Sequence, residues 1–148
     1  MALTADYVGR KYGPYKYEVG VEKVREFALA IAGEVPSAAF AREGQFTGHY
    51  AAYPSIAPAT FAVNYNMRPF SAAVFDKDLD VNVMMLVHGE QAFELLRPAR
   101  PGDVLTTEGE ITDIAEKAGK KFLTVRCTSR AADGEVVTVG TYTAVIRA

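Results

Sequence analysis

Two periodicities divide the chain. Between residues 21 and 33 the apolar side chains Val21, Val24, Phe27, Ala28 and Ile31 recur every three or four positions, with Glu22, Lys23, Arg25 and Glu26 between them. That spacing predicts an amphipathic helix of about three turns, and Gly33 is suited to stop it. Beyond residue 80 the period shortens. Four runs, 81–96, 104–115, 121–130 and 135–146, are rich in valine, threonine and aromatic residues and are separated by the turn sequences RPGD, EKAGK and AADGE. In the second run Val104, Thr106, Glu108 and Glu110 alternate with Leu105, Thr107 and Ile111, as expected of strands with one solvated face. The Asp-Gly pair of AADGE marks a hairpin, because that dipeptide accepts positive φ.

The remaining segments are less regular. Residues 1–13 read as an irregular arm and 14–19 as a short extended piece ended by Gly20, whereas glycine, proline and small residues make 35–53 a loop. In SIAPATFAVNYNMRPF, Pro58 stands near a start and Pro69 near an end, with Phe61, Ala62, Tyr65 and Met67 between them, predicting a second helix over 58–66. The order strand, helix, loop, helix, then four strands calls for an α+β architecture, an antiparallel sheet with a helix against one face.

Composition narrows the function. The chain has 148 residues, a length suited to a single domain over 1–148. It is 49% hydrophobic with a formal net charge of −2, so no polyanionic partner is implied and nucleic-acid binding is not expected. The one lysine-rich spot, 117–121, contains Gly119 and reads as a turn. Cys127 is the only cysteine, so the chain builds neither an internal disulfide nor a cysteine-based zinc site, and this usage fits a reducing, cytoplasmic compartment. The N-terminal residues lack a signal-peptide pattern, and no run of about 18 apolar residues occurs, so no membrane association is expected.

Three segments taken in order carry a resemblance: YEVGVEKVREFALAIAGE, then IAPATF, then LVHGEQAFELLRPARPGDVLTTEGEI. Together they resemble the MaoC-like dehydratase N-terminal domain over nearly the whole chain. The resemblance implies a hot-dog fold, in which a curved antiparallel sheet wraps a central helix. It also implies pairing with another hot-dog subunit as a homodimer or heterodimer, an acyl thioester of coenzyme A or acyl carrier protein as substrate, and no cofactor or metal. The family includes the non-catalytic subunit of mycobacterial 3-hydroxyacyl-thioester dehydratases.

Catalytic members of the wider group resemble one another in a hydratase signature, an aspartate in a Gly-Asp pair and a histidine five residues later. Two titratable groups must flank the double bond, because water loses a proton as it attacks C3 of an enoyl thioester while C2 gains one. Here Gly33-Glu34 stands where Gly-Asp would be, and five residues after Glu34 comes Ala39. Alanine transfers no proton, and glutamate is one methylene longer than aspartate.

The chain's two histidines are His49 and His88. His49 lies in a glycine-bearing loop, either as an ordinary loop residue or as a general base. His88 shares a strand face with Glu90, as a buried structural motif or as a polar group at a subunit interface. IAPATF occupies the place of the histidine-glycine pair that opens the second helix of catalytic relatives, so the resemblance implies that the backbone at Ala59 polarises a thioester carbonyl. Phe61, Val63, Tyr65 and Phe70 are apolar and suited to line an acyl tunnel or to fill a core. Arg97 and Arg100, in RPARPGD, are candidates for contact with the phosphates of coenzyme A or a phosphopantetheine arm, or belong to a solvated turn.

Two readings follow, and the broken dyad favours the first. The chain is the substrate-binding, non-catalytic half of a (3R)-hydroxyacyl-thioester dehydratase or enoyl-thioester hydratase. Alternatively, it is a stand-alone homodimeric hydratase or thioesterase using Glu34, His49 or Glu90. An acyl-thioester binding module without a catalytic partner is a third possibility.

Overall fold

A computed structural model describes residues 3–32 and 56–147. Five antiparallel strands form one sheet: β1 (Lys11–Glu18), β2 (Leu86–Leu95), β3 (Val104–Lys117), β4 (Lys120–Arg130) and β5 (Val136–Arg147), in the spatial order β1-β3-β4-β5-β2. The chain therefore leaves β2 at one edge and returns beside β1 at the other. Helix α1 (Val21–Ala32) follows β1, and a helical segment crosses one face of the sheet as a 3-10 turn (Ala59–Ala62), α2 (Val63–Asn66) and α3 (Arg68–Val74).

The alternation read in the sequence is the one the sheet uses. Leu105, Thr107 and Ile111 of β3 are fully buried under the helical segment, together with Leu123, Val125, Cys127 and Ser129 of β4 and Val137, Tyr142, Ala144 and Ile146 of β5. Burial pushes the Cys127 thiol up to about 12, so it stays protonated and acts as a small apolar core residue.

Several boundaries differ from expectation. The first strand begins at Lys11 rather than residue 14, because Lys11 and Tyr12 pair with Glu110 and Gly109 across a bulge. Part of the expected irregular arm is a 3-10 turn at Ala5–Tyr7. The second helix ends at Asn66, as expected, but a further helix that the sequence reading did not foresee follows it. After Met67 a fresh helix starts at Arg68, and Pro69 sits in its first turn, where a missing N–H costs nothing. The strand expected over 81–96 is shorter. Val83–Met85 form a 3-10 turn whose Asn82 side chain accepts the Met84 N–H at 3.2 Å, and the strand proper starts at Leu86.

A polar joint fixes the helical segment to the sheet. The Asn66 amide donates to Ser129 Oγ at 2.9 Å and to the Cys127 carbonyl at 3.2 Å, and its Oδ1 accepts the Tyr142 hydroxyl at 2.7 Å. Thr107 Oγ1 donates to the Tyr65 carbonyl at 3.0 Å and lies 2.6 Å from Ser129 Oγ, while the Tyr65 hydroxyl meets Thr138 Oγ1 at 2.8 Å. Among the described residues no buried side-chain nitrogen or oxygen is left without a partner, so the joint escapes the penalty of a half-satisfied buried network.

Two glycines make the close approach possible. A Cβ at Gly140 would land on Asn66 Oδ1, and one at Gly109 would strike the ring of Pro69. The β3–β4 hairpin is closed by Ala118 and Gly119, both at positive φ, 51° and 70°, the conformation a two-residue type I′ turn requires.

Gly140→Ala is expected to lower unfolding free energy by about 3 kcal/mol, because the added methyl displaces the Asn66 amide; urea denaturation measures this directly. Ala118→Gly should act in the opposite direction, stabilising the chain by about 0.5–1 kcal/mol, since glycine adopts the left-handed region without the Cβ clash. A midpoint that falls for Ala118→Gly would contradict the turn geometry.

Candidate functional site

A groove of about 510 Å³ opens at the far end of β2. One wall comes from Ile31 at the end of α1. A second is the segment from Ile56 to Ala59 that leads into the 3-10 turn, and a third is the connection from Leu95 to Ala99 between β2 and β3, with Tyr65 also lining the space. Two backbone bonds hold these walls in register. The Ala57 N–H donates to the Ala99 carbonyl at 2.8 Å, and the Leu96 N–H donates to the Val137 carbonyl at 3.0 Å.

The sequence RPARPGD builds the outer wall. Arg100, Pro101, Gly102 and Asp103 form a turn in which the Asp103 N–H donates to the Arg100 carbonyl at 3.0 Å, with Gly102 at φ 93°; proline then glycine at the centre of such a turn is the type II pattern. The turn is tied to the end of β1, since Gly102 N–H donates to the Val19 carbonyl and Val19 N–H to the Asp103 carbonyl, both at 2.8 Å. The Arg97 guanidinium then clamps it. Nη1 and Nη2 donate to the two carboxylate oxygens of Asp103 at 2.7 and 3.3 Å, Nη1 also donates to the Pro98 carbonyl, and Nε donates to Glu135 at 2.9 Å.

Both members of the Arg97–Asp103 pair are only 19% exposed in their side chains. Burial by itself would raise the Asp103 pKa, but the hydrogen bonds from Arg97 and from the Arg100 N–H outweigh it and hold the carboxyl below the usual aspartate range. The hydrogen bond to Asp103 correspondingly pushes the Arg97 guanidinium higher still. Burial raises the phenol of Tyr65, so the groove's tyrosine is neutral at physiological pH.

The structure brings together three of the residues singled out in the sequence: Ala59, Tyr65 and Arg97 line one groove. Arg97 is committed to Asp103 and Glu135, so its observed work is to hold the wall, and a phosphate would have to compete with carboxylates already bound. Arg100 is exposed on the turn. Phe61 is fully buried one layer behind the groove, its ring 6.3 Å from that of Tyr65 and 5.5 Å from Phe27. Phe70 lies elsewhere, against Tyr142 at 5.3 Å. Glu34 and His49 lie outside the described residues.

His88 departs from the expected geometry in two ways. A register shift falls between His88 and Glu90, so the two do not simply share a strand face, and the ring nitrogen Nε2 instead lies 3.2 Å from the Glu90 backbone carbonyl. The residue is exposed rather than buried, because β2 is the edge strand, although its ring packs 5.4 Å from Phe70. Among the described residues no group of three or more histidine, cysteine, aspartate or glutamate side chains could hold a metal ion, and no helix is long and apolar enough to cross a membrane.

Sequence reasoning missed Ile31, Leu95 and Leu96 as groove residues. Their signal was present. Ile31 continues the apolar face of α1 past the point where the helix still has a core to meet, and Leu95-Leu96 puts two large apolar residues side by side where alternation sends only one inward. All three are exposed, at 54%, 40% and 54%.

An open antiparallel sheet laid over a buried helical segment, with an apolar groove where strand edge and helix start meet, is the hot-dog fold of the MaoC-like dehydratases and hydratases. Residues 6–139 match the family model for the FAS1-like, dehydratase domain region, and the chain belongs to that family. A UPF0336 protein of Saccharopolyspora erythraea is 40% identical over 149 aligned residues, covering 99% of this chain and 93% of the relative. Among solved structures, the C-terminally truncated HadBC (3R-hydroxyacyl-ACP dehydratase) complex of Mycobacterium tuberculosis superposes with a TM-score of 0.70 at 26% identity, covering 97% of this chain and 99% of that one. A MaoC-like dehydratase gives a TM-score of 0.71 at 29% identity over 95% of this chain, which spans 42% of that longer one.

Arg97→Ala should destabilise the chain by about 1–2 kcal/mol at neutral pH by leaving the Asp103 carboxylate unpaired in a mostly buried wall. The folded pKa of Asp103 is depressed, so its contribution is present above the ordinary aspartate value of about 3.9 and is lost as pH falls through the folded value. The stability gap between wild type and Arg97→Ala is therefore expected to narrow on acidification, as read by thermal melts across an acid pH series. A gap that widens would show that the pair is not what holds the wall.

Proposed function

We propose that this chain is the substrate-binding, non-catalytic half of a (3R)-hydroxyacyl-thioester dehydratase or enoyl-thioester hydratase, and that a second hot-dog subunit supplies the aspartate and histidine. The observation that carries the reading is the pair of residues at the dyad positions, Glu34 and Ala39. Hydration needs a base to take a proton from water as oxygen attacks C3 and an acid to protonate C2. A methyl side chain does neither, so the reacting centre of the complex is assigned to the partner. This chain's part is to bind the acyl portion against Ile31, Leu95 and Leu96 and to exclude water from it.

The sheet edges support a partner on β2. Among the described residues, five of the nine exposed large hydrophobics, Val83, Met84, Met85, Val87 and Leu95, lie on β2 or in the turn leading to it. The opposite edge strand, β1, carries Lys11, Lys16, Glu18 and Pro14 and is bulged between Tyr12 and Tyr15, features that discourage pairing with another chain. A subunit seated along β2 reaches the groove, because Leu95 ends the strand and lines the opening. That the similar HadBC structure is a complex named as a 3R-hydroxyacyl-ACP dehydratase is consistent with this arrangement.

The purified chain alone should be silent in an enoyl-thioester hydration assay that follows loss of the conjugated thioester absorbance, and active once its partner subunit is added. In the reconstituted pair, Glu34→Ala is expected to keep activity within a few-fold of wild type. A loss beyond ~100-fold with folding and pairing intact, which is the scale of a missing general base, would place the chemistry in this chain. Turnover by the chain alone would support the stand-alone homodimer and direct attention to Glu34, His49 and His88. The double substitution Val87→Lys and Leu95→Lys should abolish pairing, seen by light scattering, without unfolding the chain; a pair that survives it would move the interface away from β2.

A further inference from the structure

The groove has an exposed rim and a buried floor of unequal parts. Among the described residues, three buried ones line it: Ala57 and Ala99, which contribute one methyl group each, and Tyr65. Among these described residues Tyr65 is thus the one large buried side chain of the groove. It is 1% exposed, and rings stand behind it, Phe61 at 6.3 Å and Tyr17 at 6.2 Å, followed by Leu105 and Val137 in the same apolar cluster.

The residue is held at both its side-chain tip and its backbone. Its hydroxyl meets Thr138 Oγ1 on β5 at 2.8 Å, and its own carbonyl accepts the Thr107 hydroxyl of β3 at 3.0 Å. Swinging the side chain aside would strip the buried phenol and the Thr138 hydroxyl of each other, in a place where water does not replace the lost partner. With the hydroxyl committed to Thr138, ring carbon is what remains to meet an apolar chain entering from Ile31, Leu95 and Leu96.

We infer that Tyr65 is a specificity-determining residue that stops the groove and sets the longest acyl chain the subunit accepts. The inference rests on the acyl-thioester reading above and adds to it a substrate class: thioesters of short to medium chain, whose terminus reaches the Tyr65 ring and goes no further. A longer chain must either leave methylenes in solvent or displace a pinned ring, so its extra apolar surface gains nothing.

The test uses the full chain and calorimetric titration with crotonyl-, octenoyl- and hexadecenoyl-pantetheine, whose thiol arm is common to coenzyme A and acyl carrier protein. For the wild type, affinity should rise from crotonyl to octenoyl and then level or fall at hexadecenoyl. Tyr65→Leu, which shortens the stop, should raise hexadecenoyl affinity about tenfold relative to octenoyl, the scale of burying two further methylenes. Thr138→Val keeps the fold and the ring but removes its anchor, and is expected to give a smaller gain in the same direction.

A wild type that keeps gaining affinity through hexadecenoyl would overturn the inference, as would variants that fold and retain the wild-type ranking of lengths. If thioesters bind but length has no effect, the stop is wrong and the acyl reading stands. If no thioester of any length binds, the acyl reading fails and the inference fails with it.

Discussion

The amide of Asn66 is the joint on which the rest of the structure depends. It reaches from the end of α2 into the inner face of the sheet and bonds Ser129, the Cys127 carbonyl and the Tyr142 hydroxyl. Hydrophobic burial alone would leave a helix free to roll or slide over a sheet of valine and leucine, because that force has little direction. A buried amide with fixed donors and acceptors removes the freedom, since any other rotation leaves polar atoms unpaired in the core. The joint is close only because β5 and β3 present Gly140 and Gly109 where side chains would otherwise stand.

That placement positions the candidate site. Tyr65 immediately precedes Asn66, so fixing one fixes the direction of the other, and the phenol is brought to Thr138 at the bottom of the groove. The outer wall has a separate origin. Arg97, Asp103 and Glu135 join the β2–β3 connection to the start of β5, and the turn at Gly102 ties the same connection to the end of β1. Floor and wall are thus set by two independent polar clusters, one fully buried and one at the rim. Of the apolar residues that would touch an acyl chain, Leu95 and Leu96 are carried on the connection the rim cluster holds, and Ile31 on α1, which follows the tied end of β1.

The division of labour proposed for the chain follows from where its polarity is spent. In the described residues the buried hydroxyls and amides bond one another, and the least exposed arginine at the groove is saturated by two carboxylates. Such groups hold a shape well and move protons poorly. A shaped apolar groove at the end of an apolar sheet edge is useful to a neighbour that brings the acid and base.

The strands of the second half were legible because alternation and turn chemistry are local. Val104 to Ile111 shows its buried face in the order of its residues, and the proline-glycine and alanine-glycine turns announce themselves by the backbone conformations they permit. The amphipathic face of α1 was legible for the same reason. The restart of the helix at Arg68 was not, because a proline reads as a stop until its place in a first turn is known. Nor was the separation of His88 from Glu90, since a bulge depends on which residues β5 places opposite them. The roles of Asn66, Gly109, Gly140 and Arg97 lie further out of reach. Each acts through a partner that is between 6 and 76 positions away in the chain, or through the absence of a side chain beneath another element. The residues by themselves determined the periods, the turns, the family and the missing histidine. Only the tertiary structure decided which polar groups meet, and therefore where the groove lies and what stops it, because hydrogen bonds between distant segments have no signature in either segment alone.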